Sequence, residues 1–347
     1  MQPKIVSLGF AVPEISYTQE EVFQALGYPH HFRIVFSDSR IEKRHFILPL
    51  ERVKELSFQE QQDIYMREAP ILSRLAVEQC LDGRDVQEIG LLIYATCTGL
   101  APGPTIAHYL ARDMKFLPST FLTNITAMGC EGAYPGLRRA YDFVVATGRS
   151  ALLVNCELTS LTYYPESDGK PDPENHFEVL RSTSLFADAA SAALVSFDDD
   201  WHHPTVIDME TYTNADYMGD LGFTWRNGRL RVLLSRRVPE LAPLVVKPAV
   251  DAVLQRQELS VDDIRWWVIH AAGSSVLDNI RDALGLPEEK VILSRETLKN
   301  FGNTSSTSVG ITGKRLMSQD IQQGDYVMIL SVGPGMTGGC LLLKFGG

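Results

Sequence analysis

The chain has 347 residues, of which 45% are hydrophobic, and a formal net charge of −11 at pH 7. This length suffices for a large core and about two domains. The acidic balance argues against nucleic-acid binding, because no basic stripe is present to neutralise phosphates. No apolar segment approaches the roughly 20 residues that span a bilayer, and residues 3–10 are too short for a signal peptide. We therefore expect a protein without nucleic-acid or membrane partners.

The cysteines point to a reducing environment. Five cysteines are widely spread and form no Cys-x-x-Cys pair. This spacing predicts neither a disulfide framework nor a zinc site, so we expect no metal and a cytoplasmic location.

Strand-like and helix-like segments alternate along the chain. Apolar runs predict strands at 89–95, 151–154, 190–197, 266–269 and 326–330, and helical patterns include 71–80 and 249–257. Such alternation predicts an α/β fold with helices covering mostly parallel sheets. The polar segment 165–175 is expected to be a surface loop.

The two halves of the chain share one pattern. Ile264 opens an apolar run in the second half as Ile89 does in the first, and Gly324 follows Gly148 at nearly the same offset along the chain. We interpret this as a duplicated α/β unit with pseudo-twofold symmetry. The predicted halves are 1–200 and 201–347, with a hinge near 198–204.

Cys130 is the candidate nucleophile. It precedes a helical run at 134–147, so its sulfur is expected at a helix amino end, where the dipole and free N–H groups lower a thiol pKa from about 8.5. Gly129 allows a sharp turn and leaves room for a substrate. The duplication places Ser305 or Ser306 at the equivalent position of the other half. The alternative is a buried structural cysteine.

Five ordered motifs carry a family resemblance. They are 129–130 (GC), 185–190 (LFADAA), 268–273 (VIHAAG), 301–306 (FGNTSS) and 332–337 (VGPGMT). Together they resemble the chalcone-synthase-like type III polyketide synthases of the thiolase superfamily, from residue 41 to the end. The resemblance implies a thiolase-like duplicated αβαβα fold with two mostly parallel, five-stranded sheets, in a homodimer.

The resemblance also implies a reaction. Cys130 would take an acyl group from a thioester, while His270 and Asn303 hold malonyl-CoA as it loses carbon dioxide, and the enolate would attack the acyl-cysteine. Two donors on the thioester oxygen stabilise the developing charge. His270 would also stabilise the Cys130 thiolate as an ion pair. A core histidine and a turn asparagine are the structural alternatives.

Supporting positions follow from the same matching. Phe186 corresponds to a gatekeeper whose apolar ring promotes loss of the malonyl carboxylate, although it also suits a core position. Val232 and Val332 replace bulkier aromatic residues, which suggests a cavity wider or differently shaped than in flavonoid enzymes, with an acyl chain of fatty type as one option. The remaining positions are the acyl pocket (Thr159, Thr162), the loop toward the partner subunit (Cys97, Thr98, Ala101) and the backbone at Gly333, which suits an oxyanion site or orientation of the nucleophile.

The expected coenzyme A site departs from the family pattern. Plant members carry cations ahead of the segment 41–44, whereas only Arg33 offers a fixed charge there. Arg40, Lys43 and Arg44 are candidates to compensate, or acyl groups arrive on an acyl carrier protein. No cofactor is expected beyond these thioester substrates.

Two other functions use similar residues. Cysteine, histidine and asparagine in this order also occur in papain-like hydrolases, but the residues after Cys130 do not match them. Asn303-Thr304-Ser305 is close to the pattern of the initiating ketoacyl-carrier-protein synthases, which share the fold. Pro334 favours the polyketide branch over such a carrier-protein-dependent ketosynthase or acyltransferase.

Overall fold

The computed structural model describes residues 2–100, 103–163, 176–226 and 229–346. Ala101 and the polar segment 165–175 lie outside these ranges. The strands are β1 Lys4–Ala11, β2 Ile15–Thr18, β3 Lys43–Phe46, β4 Ile89–Thr96, β5 Phe121–Thr126, β6 Ser150–Glu157, β7 Ala189–Ser196, β8 Thr205–Thr213, β9 Leu221–Arg226, β10 Arg229–Leu234, β11 Ile264–Ile269, β12 Tyr326–Gly333 and β13 Thr337–Lys344. The α-helices are α1 Gln19–Leu26, α2 Arg33–Ser37, α3 Phe58–Leu81, α4 Ile106–Asp113, α5 Ala133–Thr147, α6 His176–Leu185, α7 Val238–Arg256, α8 Ser274–Leu284, α9 Ile292–Phe301 and α10 Ser308–Leu316.

Nine strands form one hydrogen-bonded sheet in the order β11-β12-β13-β8-β1-β7-β6-β4-β5. Its two parts meet at a single residue pair, Lys4 with Thr205. The first part has the five strands β5-β4-β6-β7-β1, and the second has the four strands β8-β13-β12-β11. The two parts therefore correspond to the two sheets expected from the sequence, joined at one point.

Helices form three layers around these two parts. The long helix α3 packs on β1, β6 and β7, and α7 packs on β8 and β13. Between the two parts lie α5, which contacts β4, β6 and β13, and α10, which contacts β1, β11 and β12. Apolar residues of α5, α10 and both sheet parts form one buried cluster. Burial on both faces explains why β4 consists entirely of buried residues.

The α/β class is confirmed, but two expectations about the sheets are wrong. Parallel pairing is limited to β4 with β5 and β6, and to β11 with β12, so the described sheet is mixed rather than mostly parallel. The second part has four strands because the region that the duplication makes equivalent to the edge strand β5 lies in helix α9.

The pseudo-twofold relation holds for the central helices. The first residues of α5 and α10 are separated by the same offset as Ile89 and Ile264. Each helix follows a 3₁₀ turn, Gly129–Glu131 and Ser305–Thr307 respectively. Residue 200 lies between β7 and β8, while the division into halves at this residue stays a prediction.

Candidate active site

Cys130 lies in the 3₁₀ turn that leads into α5. Gly129 has a φ of 53°, and a Cβ there would lie 2.6 Å from Pro334 Cγ and Cδ, so only glycine fits. Gly129 also lies on the wall of a small cavity beside Cys130, and the room expected there for a substrate stays a prediction. The Ser305 hydroxyl, from the equivalent turn of the other half, donates to Cys130 Sγ at 3.5 Å. The two turns therefore meet across the pseudo-twofold axis.

Burial governs the protonation state of Cys130. The side chain is 8% exposed, and burial raises its pKa to about 12, although the Ser305 hydrogen bond acts in the opposite direction. The expected lowering of the pKa by the helix end is therefore wrong for the free protein. Cys130 is a neutral thiol at pH 7.

His270 follows β11 and is 2% exposed. Its Nδ1 bonds the Ser308 hydroxyl at 2.5 Å, and its Nε2 is buried without a partner among the described residues. Burial lowers the pKa of His270 to about 3. Burial thus opposes charge on both side chains in the free protein, and the expected ion pair between His270 and the Cys130 thiolate stays a prediction.

Asn303 is held in one orientation by its neighbours. Its Oδ1 accepts the N–H of Ser305 at 2.9 Å, and its Nδ2 donates to the Ala272 carbonyl at 2.9 Å. The backbone of Asn303 also pairs with residues on both sides of Phe186. An amide has two N–H donors, so one remains for a ligand.

Phe186 is fixed through its carbonyl. Arg44 Nη1 donates to this oxygen at 2.8 Å, and the Tyr163 hydroxyl donates to it as well. Arg44 is 0% exposed, so the expectation that it compensates for missing surface cations is wrong. It is a positioning residue in the interior.

One cavity of about 290 Å³ brings the predicted catalytic residues together. Cys130, His270 and Asn303 all line it, and Phe186 and Val332 are also part of its wall. Its lining also includes Arg181 of α6, Arg236 and the first residues of α8. The three predicted catalytic side chains thus open on a common space, as the motif matching predicted.

A second cavity of about 10 Å³ also has Cys130 and Phe186 in its wall. It is lined by the predicted pocket residues Cys97, Thr98, Thr159, Thr162 and Val232. Phe223, which pairs with Val232 across the β9–β10 hairpin, and Leu221 fill it further. Phe223 and Val232 both line this cavity, and the wider or differently shaped cavity expected from Val232 and Val332 stays a prediction.

Polar groups of this second cavity are bonded within the protein. The Thr159 hydroxyl donates to the Ala187 carbonyl, and the Thr162 hydroxyl to the Thr159 carbonyl. Cys97 Sγ and the Thr98 hydroxyl both donate to Glu157. The surface offered to a ligand is therefore largely apolar.

Glu157 was not predicted, although it connects both halves of the site. Its side chain is fully buried, and Ser306, beside Ser305, donates to its Oε1 at 2.7 Å. Its Oε2 accepts the backbone N–H of Cys97 at 3.0 Å. Glu157 and the serines 305, 306 and 308 thus support the site. The sequence indicated Ser305 and Ser306, because the duplication makes them equivalent to Cys130, but it gave no signal for Ser308 or Glu157.

Gly333 lies behind the cysteine turn rather than on the wall of either cavity. A Cβ at this position would be 2.6 Å from Glu131 Cβ and 3.0 Å from the Met128 carbonyl oxygen. The close approach fixes the turn, while a direct contact with substrate stays a prediction. Glu131 itself is buried, and neither carboxyl oxygen has a partner in the described structure.

The described residues hold neither a candidate metal site nor a candidate membrane span. They contain no cluster of three or more His, Cys, Asp or Glu side chains suited to a metal ion. No helix in the described ranges combines the length and apolar character needed to cross a membrane.

Known proteins share both the sequence pattern and the fold. Residues 4–199, more than half of the chain, match the N-terminal domain of chalcone and stilbene synthases, and residues 254–345 match the C-terminal domain of 3-oxoacyl-[acyl-carrier-protein] synthase III. The 1,3,6,8-tetrahydroxynaphthalene synthase of Streptomyces griseus is 28% identical over 94% of this chain and 88% of that protein. The phloroglucinol synthase of Pseudomonas fluorescens is 26% identical over 94% of both. The crystal structure of 1,3,6,8-tetrahydroxynaphthalene synthase from Streptomyces coelicolor, a bacterial type III polyketide synthase, has a TM-score of 0.88 at 24% identity over 99% of both chains.

The expected thiolase-like fold is confirmed. The match over residues 4–199 goes further: this chain belongs to the chalcone and stilbene synthase family, and it is a type III polyketide synthase, an enzyme of the acyltransferase class. The papain-like alternative is excluded by the fold.

Proposed function

We propose that this protein condenses an acyl thioester starter with malonyl-CoA by decarboxylative Claisen chemistry, through an acyl-Cys130 intermediate. One observation carries the proposal: Cys130, the unpartnered Nε2 of His270 and the amide of Asn303 line the same cavity. No cofactor beyond the thioester substrates is required.

Loading begins from a neutral thiol. The Cys130 proton must leave as sulfur attacks the starter carbonyl, and the neutral imidazole of His270 is the base on the same cavity wall. The C–S bond of the donor thioester then breaks, and the imidazolium gives this proton to the departing thiolate. Nδ1–H of His270 then donates to Ser308, which can accept as well as donate. The Ser305 hydroxyl, already directed at Sγ, stabilises the developing thiolate.

Decarboxylation uses the same ring in its other tautomer. When Ser308 donates to Nδ1, His270 presents Nε2–H, and Asn303 presents its remaining N–H. Both donors stabilise the enolate oxygen more than the neutral carbonyl. The apolar ring of Phe186, on the wall of this cavity, disfavours the malonyl carboxylate and promotes its loss. The enolate carbon then attacks the carbonyl of the Cys130 thioester. The C–S bond to Cys130 breaks, the thiolate leaves, and the extended chain remains on the malonyl-derived thioester.

Intact-protein mass spectrometry tests these roles. Cys130→Ala should abolish acylation by an acyl-CoA mixture, whereas His270→Ala and Asn303→Ala should lose malonyl-CoA decarboxylation, and Asn303→Ala should still load. Acylation that persists without Cys130 would refute the proposal.

A carrier-protein-dependent ketosynthase is the second candidate. The match of residues 254–345 to a carrier-protein synthase domain favours it. Acylation and condensation by acyl-carrier-protein donors, with no reaction of the CoA thioesters, would establish it instead.

We further propose a homodimer in the cytoplasm. Strand β5 is the edge of the described sheet, and its Phe121 side chain is 60% exposed, as expected for a surface that pairs with a second subunit. The five cysteines are free and buried, which suits a reducing compartment. Light scattering on the purified protein measures the subunit number, and fractionation of cells measures the location.

A further inference from the structure

A row of buried hydroxyl groups ends at Glu157. It consists of Tyr94 on β4, Tyr65 on α3 and Thr96 on β4, and we call it the hydroxyl row. The Tyr94 and Tyr65 hydroxyl oxygens are 2.8 Å apart. Tyr65 donates to the Thr96 hydroxyl at 3.0 Å, so the proton between the two tyrosines comes from Tyr94. Thr96 donates to Glu157 Oε2 at 3.3 Å, and every donor in the row is therefore directed toward Glu157.

A bridge of two side chains connects Glu157 to Cys130. The Cys97 thiol lies 3.2 Å from Glu157 Oε2 and 3.8 Å from the Ser305 hydroxyl. Ser305 in turn donates to Cys130 Sγ at 3.5 Å. A thiol and a hydroxyl can each donate and accept. The hydroxyl row, Glu157 and this bridge therefore form one continuous path to the nucleophile.

The outer end of the path lies beside a small polar cavity. This cavity, of about 30 Å³, is lined by the hydroxyl row and by residues of α4 and β5. Asn124 and Thr126, on the edge strand β5, belong to its wall, and both are exposed. A polar space of this size can hold water. In the proposed dimer this edge would lie at the subunit interface, where bridging waters are common.

The proposed reaction needs one proton at Cys130 for each extension. Condensation releases the sulfur as a thiolate beside the new β-keto group, which this thiolate can attack again. Loss of carbon dioxide from the malonyl carboxylate neither supplies nor consumes a proton, so the proton that restores the thiol comes from solvent. Burial disfavours a lasting charge on the sulfur. The extended thioester then occupies the cavity shared by Cys130, His270 and Asn303, which leaves the opposite approach for the proton.

We propose that the hydroxyl row delivers a proton from solvent to Glu157, from which it reaches the Cys130 thiolate after each condensation. The inference rests on the proposed function, because condensation forms this thiolate. Glu157 gives its proton to Cys97, the Cys97 proton moves to Ser305, and the Ser305 proton moves to sulfur. One proton then shifts inward along each member of the hydroxyl row, and water in the small cavity supplies the last one. Burial raises the pKa of Glu157, although its hydrogen bonds act in the opposite direction, and the protonated form is the one that can deliver.

Extension kinetics of Tyr65→Phe tests the path. This variant keeps the aromatic ring but removes the hydroxyl that joins Tyr94 to Thr96. Steady-state extension with malonyl-CoA should slow by at least about 10-fold, because a positioned proton donor typically contributes more than this. The ratio of the rates in light and heavy water should rise above the wild-type ratio, since proton delivery then limits the rate. Acyl loading of Cys130 in a single turnover should stay within twofold, because its proton passes through His270.

Matched variants separate proton delivery from packing. Tyr28→Phe also removes a tyrosine hydroxyl, one that lies 2.9 Å from the Thr183 hydroxyl and outside the hydroxyl row, and it should leave extension within twofold. Thr96→Val should slow extension as Tyr65→Phe does. Thr96→Ser keeps a hydroxyl and should retain a rate within twofold of wild type. Circular dichroism verifies the fold of each variant, and the two Thr96 variants decide the question if Tyr65→Phe does not fold.

The outcomes distinguish the path from the reaction that it serves. A folded Tyr65→Phe variant with a wild-type extension rate and an unchanged ratio in heavy water overturns the path. Equal slowing of loading and extension overturns it too, because the hydroxyl would then act on structure. Equal rates in Thr96→Val and Thr96→Ser have the same meaning. Lack of turnover by the wild type with both CoA and carrier-protein donors would instead refute the proposed function.

Discussion

Ser308 is the most informative position for testing how the imidazole of His270 works. Its hydroxyl bonds Nδ1 at 2.5 Å and also accepts the Ala271 N–H at 3.4 Å. Ser308→Ala leaves a buried ring nitrogen without a partner, which costs about 1–3 kcal/mol. Because the ring then loses its fixed tautomer and orientation, we expect malonyl-CoA decarboxylation to slow by about 5- to 150-fold.

The matched control is Ser294→Ala. The Ser294 hydroxyl accepts the N–H of Ile269, next to His270, at 2.9 Å, so this variant also leaves a buried backbone N–H unpaired in the same region. It should lower thermal stability without slowing decarboxylation. Release of carbon dioxide from labelled malonyl-CoA gives the rate, and circular dichroism verifies the fold. A folded Ser308→Ala variant with a rate within twofold of wild type would refute the reasoning, and so would an equal loss in Ser294→Ala.

Three other predictions concern pH and chain length. The pKa of His270 is lowered from 6.5 to about 3, so the folding stability present above pH 6.5 is lost as the pH falls. Between pH 7 and pH 5, the free energy of unfolding of the wild type should fall by about 2 kcal/mol more than that of His270→Gln, as measured by urea unfolding. The pKa of Glu131 is raised from 4.5 to about 8 by burial, so stability is lost as the pH rises through that window. Glu131→Gln should therefore be more stable than wild type by about 3 kcal/mol at pH 7. Phe223→Ala should shift products by at least one additional malonyl-derived unit in mass spectrometry, and Val232→Phe should shorten them.

Each of these has an outcome that contradicts it. Parallel stability curves for His270→Gln and wild type would mean that the histidine titrates normally. A Glu131→Gln variant no more stable at pH 7 than at pH 4.5, relative to wild type, would show an ionised carboxyl in the folded state. Identical product distributions would show that the small cavity does not limit extension.

The sequence predicted the convergence of Cys130, His270 and Asn303 because local motifs and the duplication identify the same two turns. The direction of the Cys130 pKa shift was predicted incorrectly, because burial raises this pKa. The extent of burial depends on how the two halves pack around the thiol. A helix start predicted from sequence indicates where free N–H groups lie, but it gives no information about how deeply the thiol is buried. Arg44 shows the same limit: in sequence it belongs to a row of cations, but the alternation of β3 directs it inward.

The starts of two helices were predicted too late along the chain, for a local reason. The helices expected at 71–80 and 249–257 are parts of α3 and α7, and each expected start comes directly after an internal proline, Pro70 or Pro248. Proline removes a hydrogen bond and usually ends a helix, but apolar packing on the sheet maintains both helices through it. Helix α9 likewise replaces an edge strand that duplication alone would have predicted.

The anchoring of Phe186 has a consequence for laboratory evolution of this protein. Arg44 and Tyr163 donate hydrogen bonds to its carbonyl. A replacement that shifts the backbone there breaks the bond from Arg44 and leaves a buried charged guanidinium without this acceptor. The β9–β10 hairpin forms a separate two-stranded sheet, and its side chains reach the small cavity without holding the reacting groups. Libraries aimed at new products should therefore vary the hairpin and leave Phe186 unchanged.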